Sequence, residues 1–527
     1  MKRTVLKSVF SFVLAASLAV TGVFAAEPDV YGKQDFFPED QRNITIIDAV
    51  HAYDLNPHTA SYTSESQILT GLYEGLFSYN PVTLEPEYAL CKSYKMSRDK
   101  KRWTFVLRED AKFSNGEDIT AATIRDSWLT LLKTPNAPFA SLIDCVTGAS
   151  DYRNGIGSIN DVRIEARDSY TLVVHLTEPT EQLPRILCHH AFSAVSRKKN
   201  VYSGPFVLRS YKNGRLELSK NKNFHDADTV VIPGITIIQS DDAEENAFLF
   251  NTGAADWVMG SVNAMKILNG DAVRVSAEFG TSYLFFKIKN KPWNNAAFRL
   301  ALLEAIPYTK LRELYSVPAT TLVYPLMGYP SVPGWDDWDA PDALAMMKEA
   351  RKQAGLSQDE IIPLVFAIVD SPLMQGWAEV LKKAWEPLGV SLIVQTATAE
   401  EYNAQIPTWN ADLFSYSWIG DYADPTAFLE LFRSNSTLNV ARYSNADFDS
   451  LLNDAGRTSD AGERYKLLSK AETLLLDDGM VIPVSHPVAL NVINTSLVGG
   501  WTTNALDLHP LRYMYIRRRT LRIPNTI

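Results

Sequence analysis

Trp103-Thr-Phe-Val-Leu-Arg108 is followed by Glu109-Asp-Ala-Lys-Phe-Ser-Asn-Gly116 and then by Thr120-Ala-Ala-Thr-Ile-Arg-Asp-Ser-Trp-Leu-Thr-Leu-Leu132. The first run is rich in β-branched and aromatic residues and is bounded by Asp, Asn and Gly, the pattern of a strand running into a turn. The last run changes period. Ile124, Trp128, Leu131 and Leu132 fall on one helical face, and Thr120 can cap its start. A strand and a helix within one short stretch point to an α/β chain.

Elsewhere in the chain the same mixture recurs. Thr171-Leu-Val-Val-His-Leu176, Val230 to Ile238, Ser282 to Ile288, Ile361 to Val369 and Asp412 to Trp418 read as strands. Met374 to Leu388 reads as a helix closed by Gly389, and Arg464 to Asp478 as another, followed by the apolar strand Val481-Ile-Pro-Val484. A chain of 527 residues exceeds a single core, so two or three domains are expected. No repeat or low-complexity linker separates them, which suits domains joined by several chain crossings.

The start has the character of an export signal. Met1, Lys2, Arg3 and Lys7 precede an almost wholly apolar run from Ser8 to Phe24, ending in Val23-Phe24-Ala25. The run is short for a bilayer-spanning helix, and Glu27, Pro28 and Asp29 follow it. No cysteine stands near the expected cleavage site, so a lipoprotein anchor is not indicated. Loss of residues 1–25 removes three cations and takes the net charge from −10 to −13. An acidic chain without a basic stripe argues against nucleic-acid or anionic-lipid partners. The expected location is the periplasm, as a monomer. Cys91, Cys145 and Cys188 allow at most one disulfide, and buried unpaired thiols are an equal expectation.

Catalytic signatures are missing. There is no G-x-S-x-G elbow, no H-E-x-x-H helix and no G-x-x-x-x-G-K-[ST] loop. His189-His190 is the one histidine cluster, but neighbours on a strand or helix point apart, which suits a shared metal poorly. No catalytic residue, metal ligand or cofactor is assigned. The 11 tryptophans, 23 tyrosines and 23 phenylalanines instead offer rings that can line a cleft.

Several motifs together resemble the large extracytoplasmic solute-binding proteins of ABC importers for oligopeptides, dipeptides and nickel. They are Leu55-Asn-Pro-His58 with Ile68-Leu-Thr-Gly-Leu-Tyr-Glu-Gly-Leu76, the 103–128 stretch above, Ser203-Gly-Pro-Phe-Val-Leu208, Asn295 to Ala305, and Trp418-Ile-Gly-Asp-Tyr-Ala-Asp-Pro-Thr-Ala-Phe-Leu429. The last resembles the oligopeptide-binding type most. The resemblance implies a two-lobed periplasmic-binding-protein fold of the large three-domain, class II-like kind, with a hinge between lobes. Lobe I would combine 26–73, 188–279 and 487–527, with a small domain, 74–187, inserted in it, and lobe II would be 280–486. It also implies a receptor rather than an enzyme, which hands its solute to a membrane permease with ATPase subunits.

For the ligand, the resemblance implies a short peptide held by strand addition. Asp421 would grip its α-amino group and Trp418 would flank it. Backbone at Ser61, Tyr62 and Thr63 on one side and at Ser417, Trp418 and Ile419 on the other would pair with it, and Tyr283, Phe139 and Asn439 would complete the site. Asp424 is the better candidate for capping the helix after Pro425. Two departures stand against the pattern. Ile406 and Ser415, and more loosely Met374, are neutral where the family carries groups for the peptide carboxylate. Ile419 and the region of Gly280 lack the family's paired cysteines. Another solute (a nickel chelate, haem or an oligosaccharide) and a secreted hydrolase remain alternatives.

Overall fold

The structure is a computed structural model that describes residues 42–517 apart from 314, 316, 421, 423 and 459. The signal-like segment and Asp421 lie outside the described residues. Three larger sheets, beside two of two strands each, carry the described residues. The opening stretch forms the strand Arg102–Leu107 and the helix Ala121–Lys133, as the two periods predict. Trp103, Phe105 and Leu107 alternate inward on the strand. Thr120 accepts from the Thr123 N–H at the helix start, while Ile124, Trp128 and Leu131 are fully buried. Burying side chains of this size contributes about 1.5–3 kcal/mol each. The strand sits in a four-stranded antiparallel sheet with Cys91–Met96, Thr171–His175 and Ile164–Ala166.

A seven-stranded sheet gathers distant parts of the chain. Ile44–Asp48 runs parallel to Gly234–Gln239 and to Trp257–Val258. Arg215–Lys220 and Phe206–Lys212 extend one side, and Val488–Ile493 and Val273–Ala277 the other. The strand expected from Val230 begins only at Gly234, because the chain first makes a tight turn at Ala227–Thr229 and then meets Pro233, which has no N–H to donate.

The third sheet has five strands in the order Val390–Ala397, Ile362–Val369, Leu413–Ile419, Gly280–Phe286 and Val481–Ser485. Behind it the helix Pro372–Trp385 buries Trp377, Leu381 and Trp385. That helix starts two residues before the expected Met374, because Ser371 caps it and Pro372 is suited to the first turn. Gly389, at φ 73°, stops it after one tighter turn. The chain leaves the seven-stranded sheet at Ala277, enters the five-stranded sheet at Gly280, leaves it at Ser485 and returns at Val488. The two crossings touch: the Glu278 N–H donates to the Pro487 carbonyl at 3.0 Å. Cys91, Cys145 and Cys188 are all free thiols, and burial pushes that of Cys91 up to about 12. Among the described residues no helix is long and apolar enough to cross a membrane.

Candidate functional site

The Leu413–Ile419 strand is paired unequally on its two edges. Along its whole length it is antiparallel to Gly280–Phe286, with Gly280 opposite Ile419 and Phe286 opposite Leu413. On the other edge it meets Ile362–Val369 only through Leu413 and Phe414. Lys287 N–H donates to the Asp412 carbonyl at 2.9 Å and Gly420 N–H to the Phe279 carbonyl at 2.7 Å. Residues of even number therefore turn their backbone groups towards Gly280–Phe286. Ser415, Ser417 and Ile419 turn theirs the other way. The first of these rungs is taken. The Tyr402 hydroxyl donates to the Ser415 carbonyl at 2.8 Å and accepts from its N–H at 2.9 Å. Beyond it, on this edge, no described strand pairs with Ser417 and Ile419.

That open edge borders a cavity of about 1180 Å³, larger than the roughly 300–1,000 Å³ usual for small-molecule clefts. Ser417, Trp418 and Ile419 line it from one side and Ser61, Tyr62, Thr63 and Phe139 from the other. Contacts between the two sides bridge it. The Asn403 side-chain amide donates to the Tyr62 hydroxyl at 2.9 Å, and the Thr437 hydroxyl to the Pro138 carbonyl at 2.7 Å. Trp418 is 8% exposed and its indole N–H donates to the Ala427 carbonyl at 2.8 Å, so its ring is fixed as a wall. Behind it the Asp424 carboxylate accepts from the Thr426 N–H at 3.0 Å, at the start of the helix Thr426–Leu429, and pairs with Arg464 at 2.6 Å. Burial opposes the Asp424 charge, yet Arg464 and Thr426 hold its carboxyl below the ordinary range.

Five expected site residues take different roles. Ser61 to Thr63 are not a strand edge, because Thr63 begins the helix Thr63–Leu72. The N–H groups of Ser61 and Tyr62 both donate to the buried Glu65 carboxylate at 3.1 Å, so what this wall offers a ligand is chiefly side chains. Tyr283 is 2% exposed and is packed against Phe285, Tyr416 and Phe432 on a strand paired on both edges. It does not line the cavity although its neighbour Ser282 does, because successive residues on a strand face opposite sides of the sheet and Tyr283 is packed among the rings. Asn439 does line the cavity, but its amide is engaged with Arg433 and Tyr443 backbone and holds its own loop.

Ile406, Ser415 and Met374 also line the cavity. Gly280 and Ile419, where the cysteines are missing, are directly opposed. A Cβ on Gly280 would come within 2.5 Å of the Ile419 side chain, so the glycine makes room for the isoleucine. Some lining residues were not foreseen. The His189 and His190 rings lie 4.0 Å apart, and Phe139 lies 4.2 Å from His189. The two rings meet, contrary to the divergence expected of neighbours, because they sit at a turn into the short helix His190–Phe192. Burial lowers the His189 pKa to about 3 and that of His190 well below 6.5, so both are neutral. Among the described residues no group of three or more His, Cys, Asp or Glu side chains could hold a metal ion. Lys287 is buried, with its ammonium donating to the carbonyls of Ile406, Pro407 and Trp409 at 2.8–3.1 Å. Burial, with Arg442 and Lys289 nearby, lowers its pKa to about 8.

The sequence model of the bacterial extracellular solute-binding proteins, family 5 (middle), matches residues 85–439. The chain belongs to this family. The oligopeptide-binding protein OppA of Bacillus subtilis is 26% identical over 490 residues, covering 86% of this chain and 88% of the relative. The probable deoxycholate-binding periplasmic protein YgiS of Escherichia coli is 26% identical over 493 residues, covering 88% and 91%. The OppA structure from Burkholderia pseudomallei superposes with a TM-score of 0.81 at 24% identity, covering 91% of this chain and all of that one. The two-lobed α/β fold is thus that of the family's solute-binding proteins.

Proposed function

We propose that this protein is a periplasmic receptor for short peptides, which it encloses between its lobes and delivers to an ABC permease driven by ATPase subunits. The observation that carries this reading is the open edge at Ser417 and Ile419 facing a large cavity lined from both sides. An extended peptide laid there gains main-chain hydrogen bonds whatever its side chains, which suits a receptor for a varied nutrient. The similarity to OppA supports the same class of ligand. Asp421, next in sequence after Gly420, would take the peptide's α-amino group. Trp418 and Phe139 would wall the ligand, and the side chains of Ser61, Tyr62 and Thr63 would face it. Residues 1–25 would direct export, and the receptor would act as a monomer. Lobe I would comprise 26–73, 188–279 and 487–527, the inserted domain 74–187 and lobe II 280–486. The sheet membership of the strands supports that division.

Calorimetric titration with alanine peptides and their N-acetylated forms tests this. Free peptides should bind and acetylated ones should bind far more weakly. Asp421→Asn should cost wild-type affinity well over threefold, and a loss within about threefold, under 1 kcal/mol, would remove the amine clamp. A second reading is favoured by the apolar side chains of Met374 and Ile406 in the lining and by the similarity to YgiS: an amphipathic carboxylate such as deoxycholate. Deoxycholate binding without peptide binding would select it.

A further inference from the structure

The loop 438–442 closes the cavity at the end where the Leu413–Ile419 strand begins. The Ile288 N–H donates to the Ala441 carbonyl at 3.1 Å, which fastens this loop to the end of the Gly280–Phe286 strand. Arg442 is exposed, lines the cavity, and has φ 58°. An arginine in the left-handed region is uncommon and costs local backbone strain. Two other cations line the cavity, and both are engaged. Arg153 is paired with Asp144 at 2.5 Å, and Lys133 lies over the Tyr152 ring at 4.4 Å. The side chain of Arg442 makes no hydrogen bond or ion pair among the described residues. Its charged neighbour is a second cation, Lys287, which is tied to the Ile406 carbonyl. Lys287 cannot meet a ligand itself, since its three donors are spent on three carbonyls. This corner therefore carries an excess of positive charge, with Lys289 also nearby, and among the described residues no carboxylate is paired with Arg442 or Lys287.

We propose that Arg442 receives the carboxylate end of the bound peptide, replacing from another loop the basic groups absent at Ile406 and Ser415. This rests on the peptide reading above. The ligand would then run along the open edge with its amino end beyond Gly420 and its carboxylate towards Ile406. A guanidinium presents two parallel donors to a carboxylate, and such a bidentate pair within a cleft combines charge with geometric specificity. A carboxylate arriving at Arg442 offsets the like charge that Arg442 presents to Lys287.

The test is calorimetric titration of wild type, Arg442→Gly and Arg442→Lys with alanine peptides of two to six residues, each as free acid and as C-terminal amide. Amidation should weaken binding to wild type by about tenfold or more. Arg442→Gly should weaken the free acids by a similar factor, and amidation should then cost little further; Arg442→Lys should fall between. Glycine relieves the backbone at this position, so its melting temperature should not fall. The amide arm on wild type needs no variant. Amides binding wild type as tightly as acids would overturn the proposal and leave the peptide receptor intact. If no peptide in either form binds, the receptor reading fails and this proposal with it.

Discussion

At the scale of single residues, the site separates groups that recognise a ligand from groups that only shape the wall. Ser417 is the sharpest case, because its N–H turns away from the strand that it pairs with. Ser417→Pro deletes that N–H without removing a ladder bond to Gly280–Phe286. The expected outcome is a loss of peptide affinity of about tenfold, since an unmade rung costs about 1–3 kcal/mol. The melting temperature should change much less, because proline is tolerated on a sheet edge. Titration and a thermal melt of the same sample check both. Asp421, Trp418 and Ile419 could be picked out because they lie together in one motif. Arg442, Tyr402 and His189 could not. Tyr402 reaches Ser415 across 13 positions by folding alone, and nothing local marks Arg442 as the cation left without a partner. Tyr283, also expected in the site, lies packed among rings while its neighbour Ser282 lines the cavity, and which of two adjacent strand residues faces a cleft is decided by how the sheet is packed.

At the scale of elements, the two crossings at Glu278–Phe279 and His486–Pro487 join the sheets. Burial, then the charge of Asp507, raises the Glu278 pKa to about 7. In the unfolded chain a glutamate loses its proton near 4.3, so across the interval up to about 7 the folded state binds more protons. Stability should therefore be greatest at the acid side of that interval and fall as pH rises through it. Glu278→Gln should flatten that part of a melting-temperature profile measured between pH 5 and pH 8, while an unchanged slope would mean that the carboxyl is not linked to folding. Strands and helices with a clear period, such as Arg102–Leu107, Ala121–Lys133 and Pro372–Trp385, were legible to within a few residues. The Ser61–Thr63 segment was not. Its N–H groups are captured by Glu65, and the competition between a strand edge and a helix start was decided by a carboxylate that no periodicity reveals.

For the whole molecule, the α/β mixture was read from composition and period, whereas the sharing of one sheet by residues 44–48, 206–277 and 488–493 came only from the family resemblance and the structure. A ligand enclosed by both lobes binds the folded, closed state and not the unfolded chain. Peptide at about 100 times its dissociation constant should add about 2.7 kcal/mol of stability, seen as a melting temperature that climbs with the logarithm of peptide concentration. N-acetylated peptide should leave it nearly flat. The most direct measurement of the central claim is native mass spectrometry of the protein purified from a bacterial periplasm. A peptide receptor should carry bound masses forming a family separated by amino-acid residue masses, all released on denaturation. A single discrete adduct of sterol, haem or metal mass, or a bare chain that takes up no added peptide, would contradict it.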